Sequence, residues 1–191
     1  NATEESTIRL LRYDGHTFDA LWEYSAPGLA DAYIKNILVG DQDTLWFAVA
    51  ARSGFAQGKG LVHWHPEKGA VIYNTSNGLV DNRIEGLCLD AQGRVWCATW
   101  GGISCFDGQH FTNYTVDDGL PHNHIHAVYC DSRDHLWFAS EVGVIHYDGH
   151  AFQTVRTPHT DSTLSIIEDA NDHSMLFSTR NHVVRYRPNS T

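Results

Sequence analysis

Apolar positions along this chain come in short alternating runs that never lengthen into a helical stripe. The segments IHAVYCD, LWFAS, VIHYD and FQTV are β-branched and aromatic, and clusters of Asp, Gly, Asn and Pro separate such runs every 8–12 residues. That is the signature of short antiparallel strands joined by turns. No window carries sustained helical periodicity with caps. The runs also recur. LWFAVA (45–50), VWCATW (95–100), LWFASE (136–141) and MLFSTR (175–180) begin 50, 41 and 39 residues apart. A preceding apolar pair, Ile34/Ile37, Ile84/Leu87, Ile125/Val128 and Leu164/Ile167, is read as moving by the same steps. Two columns in step define a repeat, and a period near forty residues signals a solenoid, propeller or array.

Four strands fit each unit. In the third unit they fall near 84–89, 94–99, 103–106 and 111–116, and are termed a to d in order. Asp-Gly-x-x-Phe occurs at 14–18, 107–111 and 148–152, where it marks a c–d hairpin followed by the aromatic that opens strand d. Four strands per unit predict an all-β fold, a β-propeller of four-stranded antiparallel blades with about four blades in this chain. After Asn1-Ala2, which fits a remnant of tag cleavage, the propeller covers 3–191. It divides into a partial blade 3–26, blades 27–77, 78–117 and 118–158, and a partial blade 159–191. ARSGFAQGKG (51–60) reads as an exposed loop inserted between strands b and c.

The strands total about 17, from two in the first unit, four in each of the next three and three in the last. A closed four-bladed ring would use sixteen of them, with the N-terminal d strand completing the last blade. The alternative, which we favour, is an arc of a larger propeller. An arc leaves two apolar faces open, so we expect two chains to associate through them, by an isologous contact.

Composition narrows the partners. The chain has 191 residues, 23 acidic against 13 basic, and a formal charge of −10. Such a surface repels phosphate backbones and argues against nucleic acid. No apolar run reaches the roughly 18–20 residues of a membrane span, and no signal peptide is recognised. Cys88, Cys97, Cys105 and Cys130 form no CxxC pair, which argues against a zinc knuckle or thioredoxin-type site. All four are expected as buried small hydrophobes. Asn74 and Asn113 stand in short sequons that arise often by chance.

Two units resemble the two-component regulator propeller repeat. Gly119-Leu120-Pro121, Asn123, Ile125, Asp131, Leu136-Trp137-Phe138, Gly143 and Asp148-Gly149 follow its pattern. So do Gly78-Leu79, Asn82, Ile84, Asp90, Val95-Trp96, Gly102 and Asp107-Gly108. The last unit departs, with Met175-Leu176-Phe177 and no Asp-Gly turn. The resemblance implies a propeller, commonly seven-bladed, from the periplasmic or extracytoplasmic sensor region of a membrane-anchored bacterial signalling protein, with a signalling module elsewhere in the parent chain. Several relatives of that kind respond to carbohydrates.

In a propeller the d–a and b–c loops open on one face, around the mouth of the channel. The residues just before strand a are Tyr33, Arg83, His124 and Thr163, and those ending strand b are Ala50, Trp100, Glu141 and Arg180. Tyr33, Arg83, His124, Trp100, Glu141 and Arg180 are therefore the candidate ligand-binding residues, suited to stack on and hydrogen-bond a small molecule or oligosaccharide. His122, His124 and His126 alternate in HNHIH, a spacing compatible with metal binding. Without an evident carboxylate or Cys partner they are assigned to the surface, and no metal or cofactor is expected. His63, His65 and His146 are placed outward on strand c or its exit, and Trp46, Trp96 and Trp137 between blades. These residues form no catalytic set, so the expected function is non-enzymatic ligand sensing. The alternatives are a protein-interaction scaffold or a propeller lyase or hydrolase.

Overall fold

The computed structural model describes residues 7–25, 32–51, 58–157 and 162–187. Asn1-Ala2 and most of the 51–60 insertion lie outside them. The described residues form five antiparallel sheets in chain order. The first pairs β1 (Thr7–Tyr13) with β2 (Phe18–Ser25). The second runs β3 (Ala32–Val39), β4 (Leu45–Ala51), β5 (Gly60–His65) and β6 (Gly69–Tyr73). The third contains β7 (Ile84–Leu89), β8 (Val95–Thr99), β9 (Ile103–Phe106) and β10 (Phe111–Tyr114). The fourth contains β11 (Ile125–Cys130), β12 (Leu136–Ser140), β13 (Gly143–Tyr147) and β14 (Phe152–Val155). The last has three strands, β15 (Thr163–Glu168), β16 (Met175–Thr179) and β17 (Val183–Tyr186). The first strands β3, β7, β11 and β15 touch in series, which makes strand a the inner edge of each blade.

Sheet packs on sheet through the aromatic column. Trp96 and Trp137 are fully buried and Trp46 nearly so. Trp96 meets Phe138 and Tyr147 of the next sheet, at ring separations of 6.1 and 5.5 Å. Gly86 of β7 lies so close to β11 that an added Cβ would come within 3.1 Å of the Val128 backbone nitrogen. The Asp-Gly-x-x-Phe turn works as a local device. Asp14, Asp107 and Asp148 each accept two backbone N–H groups through one carboxylate oxygen, at 2.7–2.9 Å. Those bonds hold all three carboxyls below the usual carboxylate range. The following Phe packs on the preceding sheet. Phe111 lies 5.5 Å from Tyr73, and Phe152 5.0 Å from Tyr114. Phe18, in the first sheet, is 68% exposed instead.

Four expectations are corrected. First, Cys88 and Cys130 are joined as a disulfide between the a strands of adjacent sheets, with a Cα–Cα distance of 6.2 Å. Only Cys97 and Cys105 are free and buried, and burial raises both thiols, Cys105 to about 12. Second, His63 and His146 are half-buried against tryptophans, 3.8 Å from Trp46 and 4.5 Å from Trp137. Burial lowers the pKa of both imidazoles. Third, the returning end of the 51–60 insertion is packed. Gly58 is buried, and an added Cβ there would meet the Asn82 carbonyl at 2.4 Å.

The fourth correction concerns the last blade. The buried pair there is Thr163/Ile166, whereas Leu164 and Ile167 are exposed. Thr163 lies 38 residues after Ile125, while Met175 lies 39 after Leu136. The a–b turn has gained one residue, 169–174 against 131–135, so Ser162 takes the place assigned to Thr163.

In β7, β11 and β15 the buried pair is three residues apart, which a period-two strand cannot place on one face, whereas in β3 Ile37 is 54% exposed. A β-bulge makes up the difference. The register shifts between Ile34/Asn36, Ile84/Gly86, Ile125/Ala127 and Thr163/Ser165. The extra residue turned out of the ladder is Lys35, Glu85, His126 and Leu164 in turn.

Candidate functional site

The two columns chosen from the sequence meet at one rim of the sheets. The Trp100 N–H donates to the Arg83 carbonyl at 3.2 Å, and the Glu141 N–H to the His124 carbonyl at 3.4 Å. Each pair joins the start of strand a to the end of strand b in one sheet. The indole of Trp100, 44% exposed, then bridges the two sheets. Arg83 lies over it at 4.6 Å, and the His124 ring packs against it at 4.3 Å. Arg83 is held by a two-pronged contact with Asp81, through Nε at 3.1 Å and Nη2 at 2.7 Å. Burial opposes ionisation of Asp81, but the Arg83 bonds outweigh it and hold the carboxyl below its usual range.

Bulge residues extend the cluster. Trp100 Nε1 donates to Glu85 at 3.0 Å, and Glu85 is paired in turn with Lys35 of the preceding sheet. Tyr33 is half-buried on β3 with Ala50 as its register partner, and the link from Glu85 to that sheet runs through Lys35. On the other side, Glu141 Oε1 lies 3.2 Å from His124 Nδ1 and 3.3 Å from His126 Nε2. His126 Nε2 also lies 3.2 Å from the hydroxyl of Ser162, from the last sheet. His122 turns away, its Nδ1 accepting the backbone N–H of His124 at 3.0 Å. His124 and His126 are therefore half-buried members of a polar cluster, and not free surface histidines. Burial and the neighbouring His126 lower the pKa of His124, against the opposing pull of Glu141.

Beside this cluster a cleft of about 330 Å³ is lined by Glu141, Ser162, Arg180 and Asn181. Arg83, Trp100, His124 and Glu141 thus form one contiguous ridge, and Arg180 lines the cleft together with Glu141. Sequence reading missed Lys35, Glu85 and Ser162, and assigned His126 to the surface. The three-residue spacing of Ile84/Leu87 and Ile125/Val128 was the signal for Glu85 and His126. The extra turn residue displaced Ser162.

These features define a β-propeller segment built from repeated four-stranded blades, with a polar rim on the inner-edge side. Residues 78–101 and 119–141 match the two component regulator propeller family, so the third and fourth sheets begin with repeats of that family. No curated protein sequence matches the chain. Among solved structures it is similar to the extracellular domain of a hybrid two component system from B. thetaiotaomicron. That likeness has 21% identity and a TM-score of 0.66 and covers 80% of this chain and 21% of that one. It is also similar to PorZ, a surface component of the type-IX secretion system of Porphyromonas gingivalis. Here the identity is 15%, the TM-score 0.66 and the coverage 89% and 27%. Virginiamycin B lyase from Staphylococcus aureus shares the fold at 15% identity and a TM-score of 0.65, covering 98% and 65%. The chain spans about a fifth to a quarter of the length of the first two. No described helix is long and apolar enough to cross a membrane.

Proposed function

We propose that this chain is a non-enzymatic, ligand-sensing part of a bacterial signalling propeller, displayed outside the cytoplasm. Its ligand is a small polar molecule, with oligosaccharides the leading class, and a signalling module lies in the parent protein. The observation that carries this reading is the Arg83–Trp100–His124–Glu141 ridge beside the Arg180 cleft. A half-exposed indole flanked by fixed hydrogen-bonding groups suits a ligand with both a flat apolar face and hydroxyls. The Cys88–Cys130 disulfide supports an extracytoplasmic setting, because such bonds persist in oxidising compartments.

An enzymatic reading has little to stand on. The Ser132, His173 and Glu168 side chains do meet at the opposite rim. There the same His173 Nδ1 faces both Ser132, at 3.1 Å, and Glu168, at 2.8 Å. A base that relays a proton between nucleophile and carboxylate needs one ring nitrogen for each.

Calorimetric titration with a panel of oligosaccharides tests the sensing reading. Trp100→Ala and Arg83→Ala are each expected to weaken the bound sugar about tenfold, roughly 1.4 kcal/mol. Equal affinity in both variants would move the ligand off the ridge.

A second reading, as an interaction scaffold, rests on the open flanks. The last sheet exposes Leu164, Ile167 and Val183, the first exposes Leu11, Tyr13 and Phe18, and the two share no sheet hydrogen bonds among the described residues. We read the chain as an arc whose flanks meet further blades, or a second copy when it stands alone. The isolated chain is expected to be dimeric by light scattering at tens of micromolar, and Ile167→Lys with Val183→Lys to make it monomeric. A monomeric starting protein would remove the self-association reading.

A further inference from the structure

The cluster at Glu141 has a chemistry that sugar recognition does not require. Two imidazole nitrogens and a carboxylate oxygen, from His124, His126 and Glu141, all lie within 4.8 Å of one another. Two of those separations are 3.2 and 3.3 Å. Ligand atoms about 2.0–2.1 Å from a tetrahedral zinc ion stand roughly 3.4 Å apart. Two of the three donor separations thus match the edges of a zinc coordination shell.

We propose that His124, His126 and Glu141 bind a first-row divalent cation of the zinc class. The donor set selects among cations. Imidazole nitrogens suit zinc, nickel, cobalt and copper, whereas calcium and magnesium take oxygen donors.

The framework around the donors is built to hold them. His124 and Glu141 are tied through the backbone across β11 and β12. His126 is the bulge residue of β11, turned out of the ladder by the register shift after Ile125. Outer partners orient the ligands, as metal sites require. Trp100 packs on the His124 ring at 4.3 Å, and the backbone of His124 is fixed by His122 Nδ1. The Ser162 hydroxyl contacts His126 at Nε2, the donor nitrogen itself, so a bound ion would replace that contact. Three protein ligands leave a fourth position, and Glu141 lines the cleft that also holds Ser162, Asn181 and Arg180. An oxygen ligand on the ion would therefore have a cationic side chain within the same cleft.

This proposal shares side chains with the ligand ridge but does not depend on any organic ligand, so the two can fail separately. The test is calorimetry of the chelator-stripped chain with zinc chloride alone, repeated with cobalt(II) to read the coordination shell from its visible absorption. One strong site is expected, with a tetrahedral cobalt spectrum and no competition from magnesium or calcium. His126→Gln and Glu141→Gln should each weaken zinc binding by more than the roughly ten- to hundredfold that loss of an outer partner costs, with circular dichroism unchanged. His110→Gln and His146→Gln are the controls, because the chain carries 13 histidines that can bind metal weakly at its surface. Zinc affinity unchanged in His126→Gln and Glu141→Gln, or lost equally in the two controls, overturns the site. Sugar titration of the stripped protein reads the ridge independently.

Discussion

Asp90→Ala is expected to lower the unfolding free energy by about 3 kcal/mol, the largest loss we anticipate from one substitution in this chain. Asp90 is nearly fully buried at the end of β7, and it organises the whole a–b turn. One carboxylate oxygen accepts the backbone N–H groups of Gln92 and Arg94, at 3.1 and 2.8 Å. The other accepts Arg94 Nε at 2.6 Å and the indole N–H of the fully buried Trp96 at 2.7 Å. Alanine would leave the indole N–H without its acceptor inside the core that joins the third and fourth sheets. It would also leave two turn amides open and the Arg94 charge unpaired. Arg94 is partly exposed, so water recovers part of that last loss, and 3 rather than 5 kcal/mol is the appropriate scale. For a domain of this size the melting point should fall by about 10 °C. Asp90→Asn keeps the acceptor for the turn amides and should cost about a third as much. A melting point of Asp90→Ala within about 2 °C of the parent would mean that Trp96 is held by packing alone.

The same arrangement recurs one blade on and breaks down one blade back. Asp131 accepts Trp137 Nε1 at 2.9 Å together with the backbone N–H groups of Arg133 and His135. At the matching place in the second sheet stands Gly40, followed by a 3-10 turn at Asp41–Asp43. An added Cβ at Gly40 would come within 2.5 Å of Thr44 Oγ1. The Thr44 hydroxyl donates to the Asp41 carbonyl at 2.8 Å and fills the space an aspartate would need. Restoring the aspartate there would create a clash rather than a bond.

The strand order, the buried Trp column and the hairpin turns were legible because each depends on periodicity, which a single sequence carries. What escaped was whatever breaks the period. Ser162 was hidden because the turn at 169–174 gained a residue while strand b of the last blade kept its distance from the blade before. His126 was weighed with His122 and His124 and then set on the surface, because its partner Glu141 stands on another strand and the bulge that turns His126 out of the ladder was not foreseen. The clue was present: apolar pairs such as Ile125/Val128 are three apart, and a strand buries both only by adding a residue between them. Arg83, Trp100, His124 and Glu141 were found together because they occupy unbulged positions at the ends of strands a and b. Arg180 was placed by the same column, since strand b of the last blade keeps its register.

The disulfide was hidden by the same kind of offset, and it underlies the second large effect. Cys88 is the fifth residue of β7, and Cys130 the sixth of β11. Within one sheet those positions face opposite sides, so on consecutive sheets they face each other across the interface. A shared column would have pointed both sulfurs the same way. Replacing both residues by serine should destabilise the fold by about 2–4 kcal/mol, because a bridge between residues 42 apart removes loop freedom from the unfolded chain. The melting point is expected to fall by about 10 °C, and reduction of the parent protein should produce the same fall. Thiol labelling separates this from an effect on the free cysteines. Cys97 and Cys105 are buried, and burial raises their thiols far from the reactive range. The oxidised native chain should therefore label at no cysteine, and the denatured, unreduced chain at two. Four labelled cysteines without reductant would show that the sheets are held by side-chain packing alone. The blade interface would then be as stable in a reducing compartment as outside it, and the disulfide would lend no support to an extracytoplasmic setting.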